Sequence, residues 1–236
     1  MMGDVATVAR KELQEILSRG GPTRGRRSAA GSVIFPMLVG AVLGFQAGMS
    51  HLSYERAFAV FPVVLLAMAT GTQLITDAVA GERERHTLET LLASPVSDTA
   101  ILLGKVIAVV GYVWAIALAQ LLAVGVSSAA AGHIINPILL AVVAVLALLE
   151  AGLAAGFGVQ FSMRAPTVRA AARKSAQYSI VVNLLGSAVN VLVVGGQSGF
   201  LRAVVVLAAV VLLVAADVTL FGLARARFRR GRLLLD

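Results

Sequence analysis

Residues Gly81–Asp98 read GERERHTLETLLASPVSD. Four consecutive charges open the stretch, Glu82, Arg83, Glu84 and Arg85, and a Thr-Leu-Glu-Thr-Leu-Leu run then leads to Pro95. On either side the chain is almost continuously apolar. From Glu82 to Ala93 the spacing is helical, because Leu88, Leu91 and Leu92 stand at i, i+3 and i+4 and make one small apolar face. His86 lies off that face, and Glu89 flanks it. Pro95 stops the helix, since it has no N–H and restricts the residue before it. Ser97 then offers an N-cap for the next helix, with Asp98 well placed against that helix's positive end. The stretch reads as a short helix with its own stop, set between two apolar segments. A solvated loop would carry the same charges simply to stay out of a membrane. Three leucines in a charged frame gain nothing without a partner, however, and a short amphipathic helix suits docking in a groove on another protein.

The flanks decide the class. Of 236 residues, 58% are hydrophobic and only 14% charged, whereas soluble domains run at about half apolar and about a quarter charged. Several apolar runs exceed the roughly 20 residues that cross a bilayer core. Six spans are predicted, near 29–48, 57–76, 100–126, 134–161, 176–195 and 200–224. They are helices, because each backbone polar group in lipid must be satisfied within its own segment. Asn183, Ser187 and Asn190 interrupt the fifth. With no cysteine, disulfides and thiolate metal sites are excluded. Residues 1–28 are polar and basic and lack the apolar core of a cleavable signal.

Charge gives the direction. The formal net charge is +8. On a soluble protein that could point to nucleic acid, but here the cations sit between spans and report topology. Arg10, Lys11, Arg19, Arg24, Arg26 and Arg27 precede the first span; Arg83, Arg85 and Lys105 follow the second. Arg164, Arg169, Arg173 and Lys174 follow the fourth; Arg225, Arg227, Arg229, Arg230 and Arg232 follow the sixth. Only Arg56 and Arg202 fall on the other side, so eighteen of the twenty Lys and Arg share one face. The reading is a multi-pass protein of the cell membrane with both termini in the cytoplasm. It also places Gly81–Asp98 in the cytoplasm. Three units follow: 1–28, a cytoplasmic amphipathic helix and basic linker; 29–224, the six-helix transmembrane domain; and 225–236, a basic tail.

Asp4–Ser18 reads as an amphipathic helix whose apolar arc carries Val5, Val8, Ala9, Leu13, Ile16 and Leu17. Glu12 intrudes on the edge of that arc. Gly20-Gly21-Pro22 ends the pattern. The helix is expected to lie in the membrane interface, with Arg24–Arg27 near anionic lipid. Packing on other protein is the competing reading.

With these pieces in place, Asp77–Lys105, DAVAGERERHTLETLLASPVSDTAILLGK, resembles the signature region of ABC-2 type transporter permeases. In that family a Gly-Glu-x-Glu-x-x-Thr-Leu-Glu-x-Leu-Leu-x-Ser/Thr-Pro run precedes an entry helix ending in Gly-Lys. The resemblance departs at His86, where glycine is commoner. It implies an all-α integral membrane fold with six transmembrane helices, an N-terminal amphipathic interfacial helix, and a short cytoplasmic coupling helix between helices 2 and 3. It further implies the permease subunit of an ATP-driven exporter. ATP and magnesium would sit on a separate ATP-binding subunit, and two permease copies, identical or related, would pair. Carried over, Glu82, Glu84, Thr87, Leu88, Glu89, Leu91, Leu92 and Pro95 match the motif and are expected to couple to that subunit, the leucines as the docking face. The sequence agrees that this chain holds no nucleotide itself. A P-loop needs Gly, four residues and Gly-Lys-Ser/Thr, and Gly104-Lys105 is followed by Val106, with Thr at 99.

Polar groups within the spans are the remaining candidates. Glu150, near the middle of span four, is expensive there unless it faces protein or a water-filled cavity. Ser179, Asn183, Ser187 and Asn190 share one face of span five and are expected to line a translocation path or a dimer contact. Thr70, Gln73, Thr76 and Asp77 form a polar strip on span two. Gly40, Gly44 and Gly48 on span one, with Gly152 and Gly156 on span four, set up small-xxx-small steps for close helix packing, within one chain or between two copies. No catalytic constellation and no metal-ligand spacing appears; His51, His86 and His133 stand apart. The alternative to an ATP-driven permease is a secondary transporter or channel with Glu150 as its ion site. That class often shows internal repeats, and none is evident. A membrane anchor that only holds a partner is the third reading.

Overall fold

The computed structural model describes residues 2–19, 29–49, 70–81, 96–163, 165, 167, 169–171, 173–175, 177 and 199–227. Six helices are labelled in chain order: α1 (Met2–Arg19), α2 (Ala29–Met49), α3 (70–81), α4 (Asp98–Ala130), α5 (Pro137–Ser162) and α6 (Gly199–Arg227). No strand occurs among the described residues. The stretches Asp98–Ala130, Pro137–Ser162 and Gly199–Ala226 are each long and apolar enough to cross a membrane. Large apolar side chains stand exposed along the bundle, Phe35, Leu38 and Val42 on α2, Leu122 on α4, and Leu207 and Leu212 on α6 among them. Apolar surface on this scale does not face water in a soluble monomer; it faces lipid.

α4 and α5 form a hairpin. α4 overruns the 100–126 reading at both ends, from Asp98 to Ala130. Its last turn closes through Gly132, whose φ of +90° suits a residue without Cβ. Ser128 Oγ donates to His133 O at 2.9 Å across the turn. α5 starts at Pro137, later than the Ile134 start read from hydropathy. The reason is local: Asn136 Oδ1 accepts from Ile138 N at 2.9 Å, and Pro137 at the first helical position has no N–H to leave unsatisfied. Ile134 and Ile135 therefore belong to the connection.

Glycines set the packing. On α2, Gly40 lies against Gln120 and Ala123 of α4, and Gly44 against Val124 and Ser127. Contacts that advance together along both helices make α2 and α4 parallel. On α5, Gly152 lies against Asp217, Gly156 against Leu220, and Gly158 against Ile75. Gln160 Nε2 donates to Leu220 O at 3.1 Å. α5 thus runs parallel to α6, and, with Gly71 of α3 beside Ala154, parallel to α3 as well. The main core joins Ile75 and Val79 of α3, Ile101, Val109 and Val113 of α4, and Ala147, Ala151 and Val159 of α5.

Candidate functional site

The sequence singles out 82–95, and Glu82, Glu84, Thr87, Leu88, Glu89, Leu91, Leu92 and Pro95 lie outside the described residues. Both of its anchors are described. α3 does not end at Thr76, as hydropathy reads it, but continues to Gly81. The extension is held by packing: Ala78, Val79 and Ala80 are buried, Val79 in the main core and Ala80 against Ala165 and Ala171. Thr76 Oγ1 donates to Thr72 O at 2.6 Å, so this hydroxyl is satisfied inside its own helix. On the far side Val96 packs on the main core. Ser97 is the N-cap of α4, in extended backbone, with its Oγ accepting from Ala100 N at 3.3 Å. Asp98 sits in the first turn, where a negative charge is favoured. The segment is therefore tethered at both ends to packed helix.

α1 lies beside this anchor. Gly104 of α4 admits it: a Cβ there would stand 2.6 Å from Val8 Cβ and 3.1 Å from Ala9 N. At the next residue of α4, and one turn after Val8 on α1, Lys105 Nζ donates to Glu12 Oε2 at 2.9 Å. Both residues are buried, Lys105 2% and Glu12 8% exposed. Glu12, an intrusion in the apolar arc by sequence, is thus the acidic end of a buried ion pair. The arc itself divides. Val5, Val8, Ala9 and Ile16 turn inward, Ile16 as far as the main core, while Leu13 and Leu17 remain exposed. The Lys11–Glu15 pair at 3.7 Å is at the surface and adds little.

The intramembrane polar groups are spread along the bundle. Glu150 on α5 is 2% exposed, and its Oε2 has no hydrogen-bond partner among the described residues. Asp217 of α6 rests its carboxylate on Gly152, where a Cβ would stand 2.9 Å from Oδ2, and Oδ1 has no such partner. Gln120 on α4 is fully buried, with both amide atoms likewise unmet. Sequence reasoning missed Gln120, because an uncharged amide barely marks an apolar run; its neighbour Gly40 was the available signal. Of the polar strip on α3, Thr76 is buried and Gln73 exposed. Ser179, Asn183, Ser187 and Asn190 lie outside the described residues, as do the surroundings of Gly48. Among the described residues no group of three His, Cys, Asp or Glu could hold a metal.

Comparison with known families finds a match over residues 6–198 to the model described as ABC-2 family transporter protein. That interval takes in most of α1, all of α2 to α5 and the whole of 82–95. No curated protein matches the chain.

Proposed function

Since the chain belongs to the ABC-2 family of transporter proteins, we propose that it is the permease subunit of an exporter driven by ATP hydrolysed on a separate subunit, which docks on 82–95. An ABC transporter permease is a transmembrane protein, and the exposed apolar helix faces agree with that placement. The observation that carries the docking reading is the tethering of 82–95 between the buried end of α3 and the capped start of α4. Because the helix before 82–95 and the helix after it are both packed in the core, a force delivered to Leu88, Leu91 and Leu92 would act on two core helices. Nothing in the sequence of this chain forms a P-loop, so the nucleotide and its magnesium belong to the partner.

In this reading six spans cross the cell membrane, with both termini, 1–28 and 225–236, in the cytoplasm. Two permease copies pair, and Glu150 with Ser179, Asn183, Ser187 and Asn190 borders the path. Gly152 and Gly156 serve α6 of the same chain, which leaves the lipid-exposed faces of α2 and α6 for the second copy and for membrane lipid.

The test is assembly. Co-expressed with the ATP-binding-cassette subunit encoded nearest its own gene, the chain is expected to co-purify and to change that subunit's ATPase rate in lipid nanodiscs. A chain that purifies alone, and conducts ions in a way that Glu150→Gln abolishes, would favour the ion-site reading instead.

A further inference from the structure

The Glu12–Lys105 pair brings together two residues from the ends of a 93-residue separation, at 2.9 Å and out of water. A buried ion pair is a poor source of net stability, because desolvation offsets the attraction, and apolar side chains of the same volume often do as well. What it supplies is geometry. The ammonium and carboxylate meet at only one height and one rotation of α1 on α4. Gly104 reinforces this independently, since its missing Cβ lets the α1 backbone at Ala9 approach closely. Ile16, one turn beyond Glu12, enters the main core and fixes the same rotation.

The place of this contact gives it a consequence. Lys105 lies two turns after the Ser97 cap, directly downstream of 82–95. From these observations, and resting on the docking role proposed for 82–95, we infer that Glu12 and Lys105 are a positioning pair that locks α1 to the first turns of α4, so that the two helices move as one body through the nucleotide cycle. Motion delivered at 82–95 then reaches α1 through the ion pair, and reaches α2 through its close seam with α4. The Gly104-Lys105 dipeptide is the α4 half of that joint.

The chain has no cysteine, so labels can be placed singly. Gln14 on the exposed side of α1 and Leu122, 68% exposed on α4 and about 25 Å further along that helix than Lys105, are suitable sites. With spin labels at Gln14→Cys and Leu122→Cys, the distance between them is expected to be single and unchanged between nucleotide-free and ATP-trapped complexes in nanodiscs. A shift of several ångströms between those states overturns the inference. Glu12→Gln and Lys105→Met are each expected to leave the partner bound while lowering its stimulated ATPase about tenfold, within the usual span of coupling between sites. The charge swap Glu12→Lys with Lys105→Glu is expected to recover most of the loss. Single variants that stay fully coupled, or a swap no better than either single, overturn it. Should the single variants fail to fold, the label distances in the otherwise unaltered chain decide alone. If the unaltered chain does not assemble with the partner at all, the docking reading fails instead. The pair is then judged by the width of the label distribution in the free chain, where a narrow one supports the lock and a broad one overturns it.

Discussion

Replacing Leu88, Leu91 and Leu92 together with aspartate is expected to abolish both binding of the ATP-binding subunit and stimulation of its ATPase, while the helical membrane body still inserts and purifies. With i, i+3, i+4 spacing, the three side chains would share one face of a helical 82–95. Burying a leucine is worth about 2 kcal/mol, so losing the face removes roughly 6 kcal/mol, about ten-thousandfold in Kd. The acidic residues at the edge should behave differently. Glu82→Ala and Glu89→Ala are expected to weaken association by about 1 kcal/mol or less, as solvent-exposed charges at the rim of an interface do. Equilibrium binding of the purified partner to nanodiscs holding each variant measures both. A graded response across charged and apolar positions alike would point to a solvated loop, not a docking helix.

Gly44→Ala is expected to be the most damaging small substitution in the described helices. Its Cβ would stand 2.5 Å from Val124 O and 2.7 Å from Val124 Cα, and would overlap Ser127 Oγ. The hydroxyl can rotate away, although it now donates to Ala123 O at 2.7 Å. The backbone of Val124 cannot, so α2 and α4 must separate along their length. Overpacking of this kind costs about 2–3 kcal/mol, a fall in apparent Tm of roughly 5–10 °C for a chain of this size. Gly111→Ala on the outer face of α4 is the control. No atom lies within 4 Å of its Cβ position, and alanine is the better helix former by up to about 1 kcal/mol. Thermal unfolding in the same detergent should therefore separate the two in opposite directions. Equal effects would show that the close seam between α2 and α4 is not where the glycines act.

How far the fold was legible depended on what ends each element. α2 was read as Ala29–Gly48 and runs to Met49, because an apolar run bounded by polar, glycine-bearing sequence leaves little latitude. The Ser97 cap was legible for the same reason: a hydroxyl two residues after a proline and just before an apolar run has one obvious use. α3 and α5 were misjudged at one end each. Hydropathy stopped α3 at a polar Thr-Asp pair, yet tertiary packing of Ala78 to Ala80 carried the helix to Gly81. Hydropathy also started α5 inside two isoleucines, while Asn136-Pro137 held the true signal. Glu12 shows a different limit. A charge on an apolar arc is uninterpretable until its partner is known, and Lys105 is remote in sequence. The glycine steps named helices that pack closely, but only the folded chain says that Gly40 and Gly44 meet α4, and Gly152 and Gly156 meet α6.

A segment 82–95 that faces the cytoplasm and is covered by an ATP-binding subunit can be tested directly with single thiols. Because the chain has no cysteine, His86→Cys and His51→Cys can each carry the only thiol, probed with a membrane-impermeant maleimide in right-side-out and inverted vesicles. His86→Cys is expected to react only in inverted vesicles, and His51→Cys only in right-side-out ones. Adding the partner subunit to inverted vesicles should slow the labelling of Leu91→Cys far more than that of His86→Cys, which by helical spacing lies opposite the leucines. Labelling of His86→Cys from outside, or labelling of Leu91→Cys indifferent to the partner, would contradict both assignments.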